Sequence, residues 1–364
     1  MNRTKLWLAV ACLGILQSSC KRNETSEPQS PTEVSGTKNA ASGNTVSALT
    51  FQNTVIPVAS NPKDPQVFRA ADGKFWLVHP DDNKYYAYHS TDLINWTKQS
   101  AALMTASTGT FWSSGSYKYN STYNLYFTAN NGQLKKTIGV ATSTSPGGPY
   151  TVVNSSLMVK QQTDGTYIPC IDPSVFKDPV SGKLYMYYAR NVGSGTDPDL
   201  RVVELTANGL NKVSNTDQQV LTINQSWENI NVEHPLVYYA SNAPVSRRYY
   251  MLYNGSGGAL ARYAIGYAWS SSPTGPFTKA PEGTAVGNNP LFQQDPTQNL
   301  YGPGSPNRVV DDAGTMWMIY RIKTTAGESW SDRAISVDPF LRNGDNDLEG
   351  TPTRGITQNR PVFF

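Results

Sequence analysis

The chain has 364 residues, 38% of them hydrophobic, which is enough apolar material for a packed core and excludes global disorder. Its 30 Lys and Arg against 27 Asp and Glu leave a net charge of +3, so the composition gives no electrostatic case for a nucleic-acid partner. Three cysteines exclude a disulfide scaffold, whereas 29 Gly, 24 Pro and 21 Tyr favour an extracytoplasmic protein made of β-strands and turns.

The first twenty residues have the pattern of an export signal. Arg3 and Lys5 precede an apolar run, residues 6–16, that would rise only about 16 Å as a helix, roughly half of a bilayer core. Residues 1–19 are therefore predicted to be a signal peptide. The small residues before Cys20 resemble a bacterial lipoprotein signal, in which Cys20 is lipidated, although Gln17 stands where Leu is usual. An ordinary cleaved signal is the alternative.

The segment that follows has the composition of a tether. Residues 21–50 contain no aromatic side chain and cannot bury enough surface to offset their ordering entropy. We therefore expect 20–50 to be a flexible, lipid-anchored linker and the protein to lie in the bacterial cell envelope, in the periplasm or on the outer-membrane surface. The lipid anchor is the only membrane contact expected. Cys170, in the folded part, is predicted to be a small buried residue.

From about residue 51 a β-rich unit repeats. Each unit has a short apolar strand, a turn and an aromatic-rich strand, and a second hairpin follows the first. The five units start 48, 60, 62 and 72 residues apart, at Gln66, Ser114, Ser174, Leu236 and Arg308. Repeated β units of this length predict an all-β fold, a five-bladed β-propeller over 51–364. A pair of β-sandwich domains is the alternative.

Acids stand beside prolines where three of these units begin. They are Asp64-Pro65, Asp172-Pro173 and Glu233-His234-Pro235. The first strand of each propeller blade runs along the central channel, so acids at the same end of several first strands are expected to converge on one axial cavity. Because three carboxyl groups are costly to bury together, their convergence indicates a site of chemistry.

Several motifs occur in one order along the chain and together carry a resemblance. They are Asp64-Pro65, residues 90–96 (STDLINW), 138–143 (IGVATS) ahead of Gly148-Pro149-Tyr150, 171–174 (IDPS), 232–235 (VEHP), 266–277 (GYAWSSSPTGPF) and Gly302-Pro303-Gly304. The ordered set resembles glycoside hydrolase family 43, a family of five-bladed β-propellers. The likeness spans residues 61 to about 340.

The resemblance implies an inverting glycosidase that removes terminal sugars from plant-type oligosaccharides or polysaccharides. Asp64 matches the general base, Glu233 the general acid, and Asp172 the residue that orients the acid and raises its pKa. An α-L-arabinofuranosyl substrate is the first choice, and a β-xylosyl substrate is the second. An exo-galactanase of the same fold and a glycan-binding propeller lipoprotein without activity remain alternatives.

The resemblance also suggests three substrate-binding residues and bears on cofactors. Arg333 would bind sugar hydroxyls, with a surface ion pair as the alternative, and Trp112 would stack on a sugar, with a role in the core as the alternative. His234 would narrow the pocket or cap its strand. No cofactor is required and no metal motif is present, and an axial calcium ion is in doubt because Ser305 replaces the histidine that many relatives carry.

Overall fold

The computed structural model describes residues 49–130, 136–161, 163–191 and 197–364. In this part of the chain nearly all regular structure is β-strand, and no α-helix occurs. The described residues also contain no helix that is long and apolar enough to cross a bilayer. The predicted signal peptide, Cys20 and the linker up to residue 48 lie outside these ranges. Four short 3₁₀ turns occur, at Val58–Ser60, Ser226–Glu228, Val245–Arg247 and Pro296–Gln298.

The strands form five antiparallel sheets, one per predicted blade, in each of which four strands pair in chain order; the sheet of blade 1 has a fifth, short strand. The inner strands are Gln66–Arg69, Thr110–Tyr119, Cys170–Lys177, Val232–Tyr239 and Tyr301–Val310. The second strands are Phe75–Asp81, Thr122–Asn130, Leu184–Arg190, Tyr249–Gly255 and Met316–Lys323. The third strands are Lys84–Ser90, Thr137–Ser143, Asp199–Leu205, Ala264–Ser270 and Arg333–Arg342. The outer strands are Thr97–Lys98, Thr151–Met158, Gln218–Thr222, Thr278–Lys279 and Leu348–Gly350.

The sheets are arranged as blades around one axis. Inner strands of successive blades contact each other, and the inner strand of blade 5 contacts that of blade 1. Asn307 joins the last blade to the first, because its Oδ1 accepts a hydrogen bond from Val67 N at 2.8 Å and its Nδ2 donates to Pro65 O at 2.9 Å. The predicted five-bladed propeller is confirmed, and the alternative of two β-sandwiches is wrong.

The hydrophobic core is divided among the spaces between blades. Each of five apolar clusters draws on two neighbouring blades, as in the cluster of Tyr187 and Tyr249 between blades 3 and 4. Tyrosine suits these spaces, since its ring fills the gap between two sheets while its hydroxyl reaches a polar group at the edge. Cys170 is fully buried in the cluster between blades 2 and 3, as expected.

Three short strand pairings complete the architecture. Thr50–Gln52 pairs with Thr357–Asn359, so the two ends of the described chain meet beside blade 5. Lys160–Gln161 pairs with Tyr167–Ile168, and Met104–Thr105 adds to the third strand of blade 1. These pairings lie outside the ring of inner strands, which positions the site.

Candidate active site

Four inner strands carry the same irregularity at the same end. Asp64, Asp172, His234 and Ser305 have positive φ angles of 37°, 57°, 52° and 54°, and each precedes a proline. In blades 3, 4 and 5 the strand register shifts at these residues, as at a β-bulge. A left-handed conformation before proline is unfavourable for non-glycine residues, so its repetition marks a position that the surrounding structure enforces. The bulge re-aims each side chain toward the axis.

This register corrects one detail of the sequence interpretation. Asp64 does precede its inner strand, but Asp172 and Glu233 lie inside theirs. Moreover, the residue of blade 4 that is equivalent to Asp64 and Asp172 is His234, and Glu233 lies one position earlier. The reason is that the equivalent positions of the blades are the residues directly before the prolines, whether or not those residues are acids. The same proline pattern in the sequence could have shown this.

The three acids nevertheless meet in one pocket, as predicted. It has a volume of about 270 Å³, near the lower end of the range of about 300–1,000 Å³ for small-molecule sites. Side chains from all five blades contribute to its wall. Every predicted site residue in the described chain lines it, namely Asp64, Trp112, Asp172, Glu233, His234 and Arg333.

Asp64 lies among positive groups. Its Oδ1 is 3.4 Å from Arg333 Nη1 and 3.7 Å from both Arg321 Nε and His234 Nε2, and Ser305 Oγ donates to it at 3.4 Å. Burial alone would raise the pKa of Asp64, but Arg333, His234 and Arg321 together outweigh it and hold the pKa below 3.8. Asp64 is therefore an ionised carboxylate at neutral pH.

Glu233 has the opposite environment. It is buried, and it forms no ion pair with any of the described residues. Burial is the main reason that its pKa rises to about 7, and the neighbouring carboxyl of Asp172 raises it further. The sequence interpretation gave this role to Asp172, whereas desolvation is the larger cause. Near neutral pH a substantial fraction of Glu233 is protonated and can donate a proton.

Asp172 connects the other two acids. The Ser113 hydroxyl donates to its Oδ1, and the backbone N–H of His234, next to Glu233 in sequence, donates to its Oδ2 at 3.2 Å. Burial raises the pKa of Asp172 to about 7 against the effect of these hydrogen bonds. Asp172 is thus fixed to the backbone that carries the general-acid candidate. Ser113 was not predicted, and its position before Ser114 in blade 2 was the only available signal.

The arginine predicted to bind sugar is buried rather than at the surface, so the alternative of a surface ion pair is wrong. Arg333 is 1% exposed, donates from Nη2 to Gly258 O at 3.3 Å and lies beside Asp64. A second arginine, Arg321, was missed. It is also 1% exposed, and it donates to Gly258 O at 2.9 Å and to Gly302 O at 3.1 Å. An arginine inside the apolar strand Met316–Lys323 was a usable signal.

Two tryptophans line the pocket, Trp112 from blade 2 and Trp330 from blade 5. Trp112 is half-buried, packs against the core between blades 3 and 4, and has Lys136 Nζ 4.5 Å from its ring centroid. Trp330 is 57% exposed, and the guanidinium of Arg333 lies 4.5 Å from its ring centroid. Trp330 was not predicted, because it belongs to a loop whose position depends on the assembled ring.

Beside Asp64 and Asp172 lies a second, much smaller cavity. Its volume of about 20 Å³ has room for about one water molecule, and its polar lining includes Asp64, Ser113, Asp172, His234 and Ser305. The main pocket therefore does not continue into a wide channel along the axis below these carboxylates.

The axial donors do not fit the calcium ion that the sequence left in doubt. Calcium takes six to eight oxygen ligands at about 2.3–2.6 Å. Here the imidazole of His234 lies between the two aspartates, with Nε2 3.7 Å from Asp64 and Nδ1 3.6 Å from Asp172. In the described ranges no three His, Cys, Asp or Glu side chains are placed to hold a metal.

Comparisons with known proteins agree with this geometry. Residues 51–345 match the sequence model of the family described as glycosyl hydrolases family 43. The β-D-galactofuranosidase xynD of Aspergillus niger is 25% identical in an alignment 286 residues long that covers 67% of this chain and 77% of that protein.

Two solved structures share the fold at 23% identity. A thermostable family-43 glycoside hydrolase has a TM-score of 0.72 over 88% of this chain and 99% of that chain. An endo-1,4-β-xylanase of Bacteroides thetaiotaomicron has a TM-score of 0.67 over 86% and 100%, respectively.

Proposed function

Because the chain belongs to glycosyl hydrolases family 43, it is a glycoside hydrolase, and we propose that it removes terminal sugars with inversion at the anomeric carbon. One observation carries the proposal. Two carboxyl groups with opposite pKa shifts, Asp64 lowered and Glu233 raised, line the same closed-ended pocket. Opposed shifts of this kind identify a base and an acid.

In the proposed mechanism the two groups act on opposite sides of the scissile bond. Asp64 accepts a proton from a water molecule as that water attacks the anomeric carbon. Glu233 gives its proton to the glycosidic oxygen, so the leaving group departs as a neutral alcohol. Arg333 and Arg321 keep Asp64 ionised, which is the state that a base requires. After the reaction Asp64 is protonated and Glu233 ionised, and exchange with solvent restores the starting state.

Asp172 acts on the general acid without contacting the reacting atoms. Its carboxyl raises the pKa of Glu233, and its hydrogen bond with the backbone N–H of His234 fixes the strand that carries Glu233. Both effects favour a correctly oriented proton on Glu233.

The shape of the pocket favours a terminal sugar. The pocket ends at the carboxylates, since the axial cavity below them holds about one water molecule. A ring at the end of a glycan can enter beside Trp112 and Trp330, whereas a continuous chain has no exit below the acids. This supports removal of single residues.

We propose that the sugar removed is an α-L-arabinofuranosyl residue. The relative from Aspergillus niger carries the name of a β-D-galactofuranosidase. α-L-Arabinofuranose and β-D-galactofuranose have the same configuration at the ring carbons, and galactofuranose has one more exocyclic carbon. A pocket for one furanose therefore accepts much of the other. A β-xylosyl substrate is the second candidate.

A substrate panel tests the proposal. The enzyme is given 4-nitrophenyl α-L-arabinofuranoside, β-D-galactofuranoside, β-D-xylopyranoside and β-D-galactopyranoside, and proton NMR records the first anomer released. We expect fastest release from the arabinofuranoside and an initial β-anomer. A retained α-anomer would reject the inverting mechanism. Binding to arabinan without release from any substrate would favour the glycan-binding alternative.

We propose in addition that the protein is exported and lipidated on Cys20. The support is the apolar run and the small residues before this cysteine. In cells given an alkyne-tagged fatty acid, the wild-type chain should be labelled and sediment with membranes, whereas Cys20→Ser should be unlabelled. A labelled Cys20→Ser variant would show that lipid is attached elsewhere.

A further inference from the structure

The equivalent axial positions of the propeller carry different chemistry in different blades. Blades 1 and 3 place aspartates there, Asp64 and Asp172, and blade 5 places Ser305. Blade 4 places His234, with the same left-handed backbone and the same following proline. The fold therefore aims an imidazole at the point toward which it aims two carboxylates.

The imidazole contacts three of its axial neighbours. Ser305 Oγ lies 3.3 Å from Nε2, on the side where Asp64 Oδ1 is 3.7 Å away. On its other side Nδ1 is 3.6 Å from Asp172 Oδ1, and the backbone N–H of His234 donates to the other oxygen of the same carboxyl. One residue thus contacts both aspartates, and it contacts Asp172 through its ring and its backbone.

We propose that His234 is a positioning residue, whose imidazole holds the carboxyl groups of Asp64 and Asp172 in place across the axis. The proposal rests on the proposed function, in which Asp64 is the base and Asp172 supports the acid. It also accounts for the misfit of calcium. The ring takes the place between the aspartates that a cation would need, and it supplies one N–H donor where a cation would supply charge.

The charges around the ring show why such a contact is needed. Asp64, Asp172 and Glu233 face it from blades 1, 3 and 4, and Arg321 and Arg333 face it from blade 5. Burial lowers the pKa of His234, as do both arginines, while Asp64 and Glu233 oppose the change. Without the ring, the sides of Asp64 and Asp172 that now face it would border a larger cavity, and the contact that joins the two carboxyl groups across the axis would be lost.

A histidine exchange between neighbouring blades tests the proposal by kinetics. In His234→Ser we expect kcat to fall about 10- to 100-fold with KM changed less than threefold, because a small displacement of a reacting group has an effect of this size. The double variant His234→Ser, Ser305→His returns an imidazole to the axis from the adjacent equivalent position, and we expect it to recover at least tenfold of the loss. His89→Gln, in the third strand of blade 1, is the control and should keep the wild-type kcat.

A second arm does not depend on activity. The chain has only three histidines, so NMR can follow the His234 ring, with His89→Gln and His79→Gln assigning the other two signals. We expect Asp64→Asn to lower the pKa of His234, because it removes a nearby negative charge. If no glycoside is hydrolysed, the proposed function fails while this arm still tests the position of the ring.

Three results would overturn the inference. They are an unchanged kcat in His234→Ser, an unchanged His234 pKa in Asp64→Asn, and loss of wild-type activity in EDTA that calcium restores. The last result would show that an ion, rather than the imidazole, holds the aspartates.

Discussion

Blade 4 contains two buried glutamates five positions apart, and their surroundings differ in kind. Glu228 is 0% exposed, and its carboxylate accepts hydrogen bonds from the backbone N–H groups of Asn224 and Gln225 and from the Tyr253 hydroxyl. It also forms an ion pair with the buried Lys279. Every part of this carboxylate is compensated, so its burial requires no further explanation.

Glu233 is 7% exposed and has a like-charged neighbour in place of an ion-pair partner. It lines the pocket together with Asp172, and burial raises its pKa to about 7. A buried carboxylate that is fully paired contributes to the fold. One that faces a pocket and another acid weakens the fold, and its retention indicates a chemical role.

Glu233→Gln should separate these two roles most strongly. It removes the transferable proton, so we expect kcat on glycosides with poor leaving groups to fall about 10²- to 10⁴-fold. Aryl glycosides with good leaving groups need less protonation and should lose less. Steady-state rates on both substrate classes check this, and an equal loss on both would argue against a proton donor.

The same variant should not be less stable. Between pH 4.5 and about pH 7 the native Glu233 binds more protons than the unfolded one, so the free energy of unfolding falls as the pH rises through this window. Because Gln does not titrate, the variant does not lose this free energy of unfolding as the pH rises. We therefore expect Glu233→Gln to have a higher Tm than the wild type at pH 8 and about the same Tm at pH 4, measured by calorimetry. A lower Tm at pH 8 would contradict the raised pKa.

Glu228→Ala should show the reverse pattern. It leaves the buried Lys279 without its ion-pair partner, so the free energy of unfolding should fall by about 3–5 kcal/mol. The kcat of the molecules that remain folded should stay within about twofold of the wild type. The double variant Glu228→Ala, Lys279→Met removes both charges and should recover part of the stability in urea unfolding. A large loss of kcat in these variants would mean that Glu228 is coupled to the pocket.

The sequence predicted the fold because the information is local and repeated. Hairpin turns such as Asp72-Gly73 and aromatic-rich strands recur five times, and five such units close into one ring. It predicted the meeting of Asp64, Asp172 and Glu233 for the same reason, since equivalent ends of inner strands must converge.

What the sequence did not predict depends on contacts between blades. Arg321 comes from the second strand of blade 5 and reaches Asp64 in the neighbouring blade 1, and Trp330 reaches the pocket from a loop. Neither residue has an equivalent in another repeat, so the repeat pattern could not show where its side chain would lie. From the sequence alone His234 has only a minor role in shaping the pocket, because Glu233 beside it aligns with the acids of the other units.

Asp172→Asn changes the charged neighbour of Glu233 and leaves the burial of Glu233 in place. In the proposed mechanism activity requires protonated Glu233, so kcat/KM should decline above about pH 7, while the low pKa of Asp64 places the acidic limb below about pH 4. Removing the Asp172 carboxylate takes away a charge that raises the Glu233 pKa, and the basic limb should move down by about one pH unit. The pH profile of kcat/KM measures this. A basic limb that stays in place would show that burial alone sets the pKa of Glu233.

The smallest expected effect concerns two similar contacts. In each of them an arginine guanidinium lies over a tryptophan ring. Arg333 lies over Trp330 at the pocket mouth, and Arg247 lies 3.9 Å from the ring centroid of Trp269, outside the pocket. Trp330→Ala removes the proposed stacking surface for sugar, and we take as its scale the roughly 0.5–1.5 kcal/mol that a pair of aromatic rings contributes. We therefore expect KM to rise about 3- to 10-fold with kcat little changed. Trp269→Ala, the matched control, should lower Tm and leave KM unchanged, since Trp269 packs against the core between blades 4 and 5. If both variants changed KM equally, the effect would come from loosened blades, and Trp330 would have no direct contact with substrate.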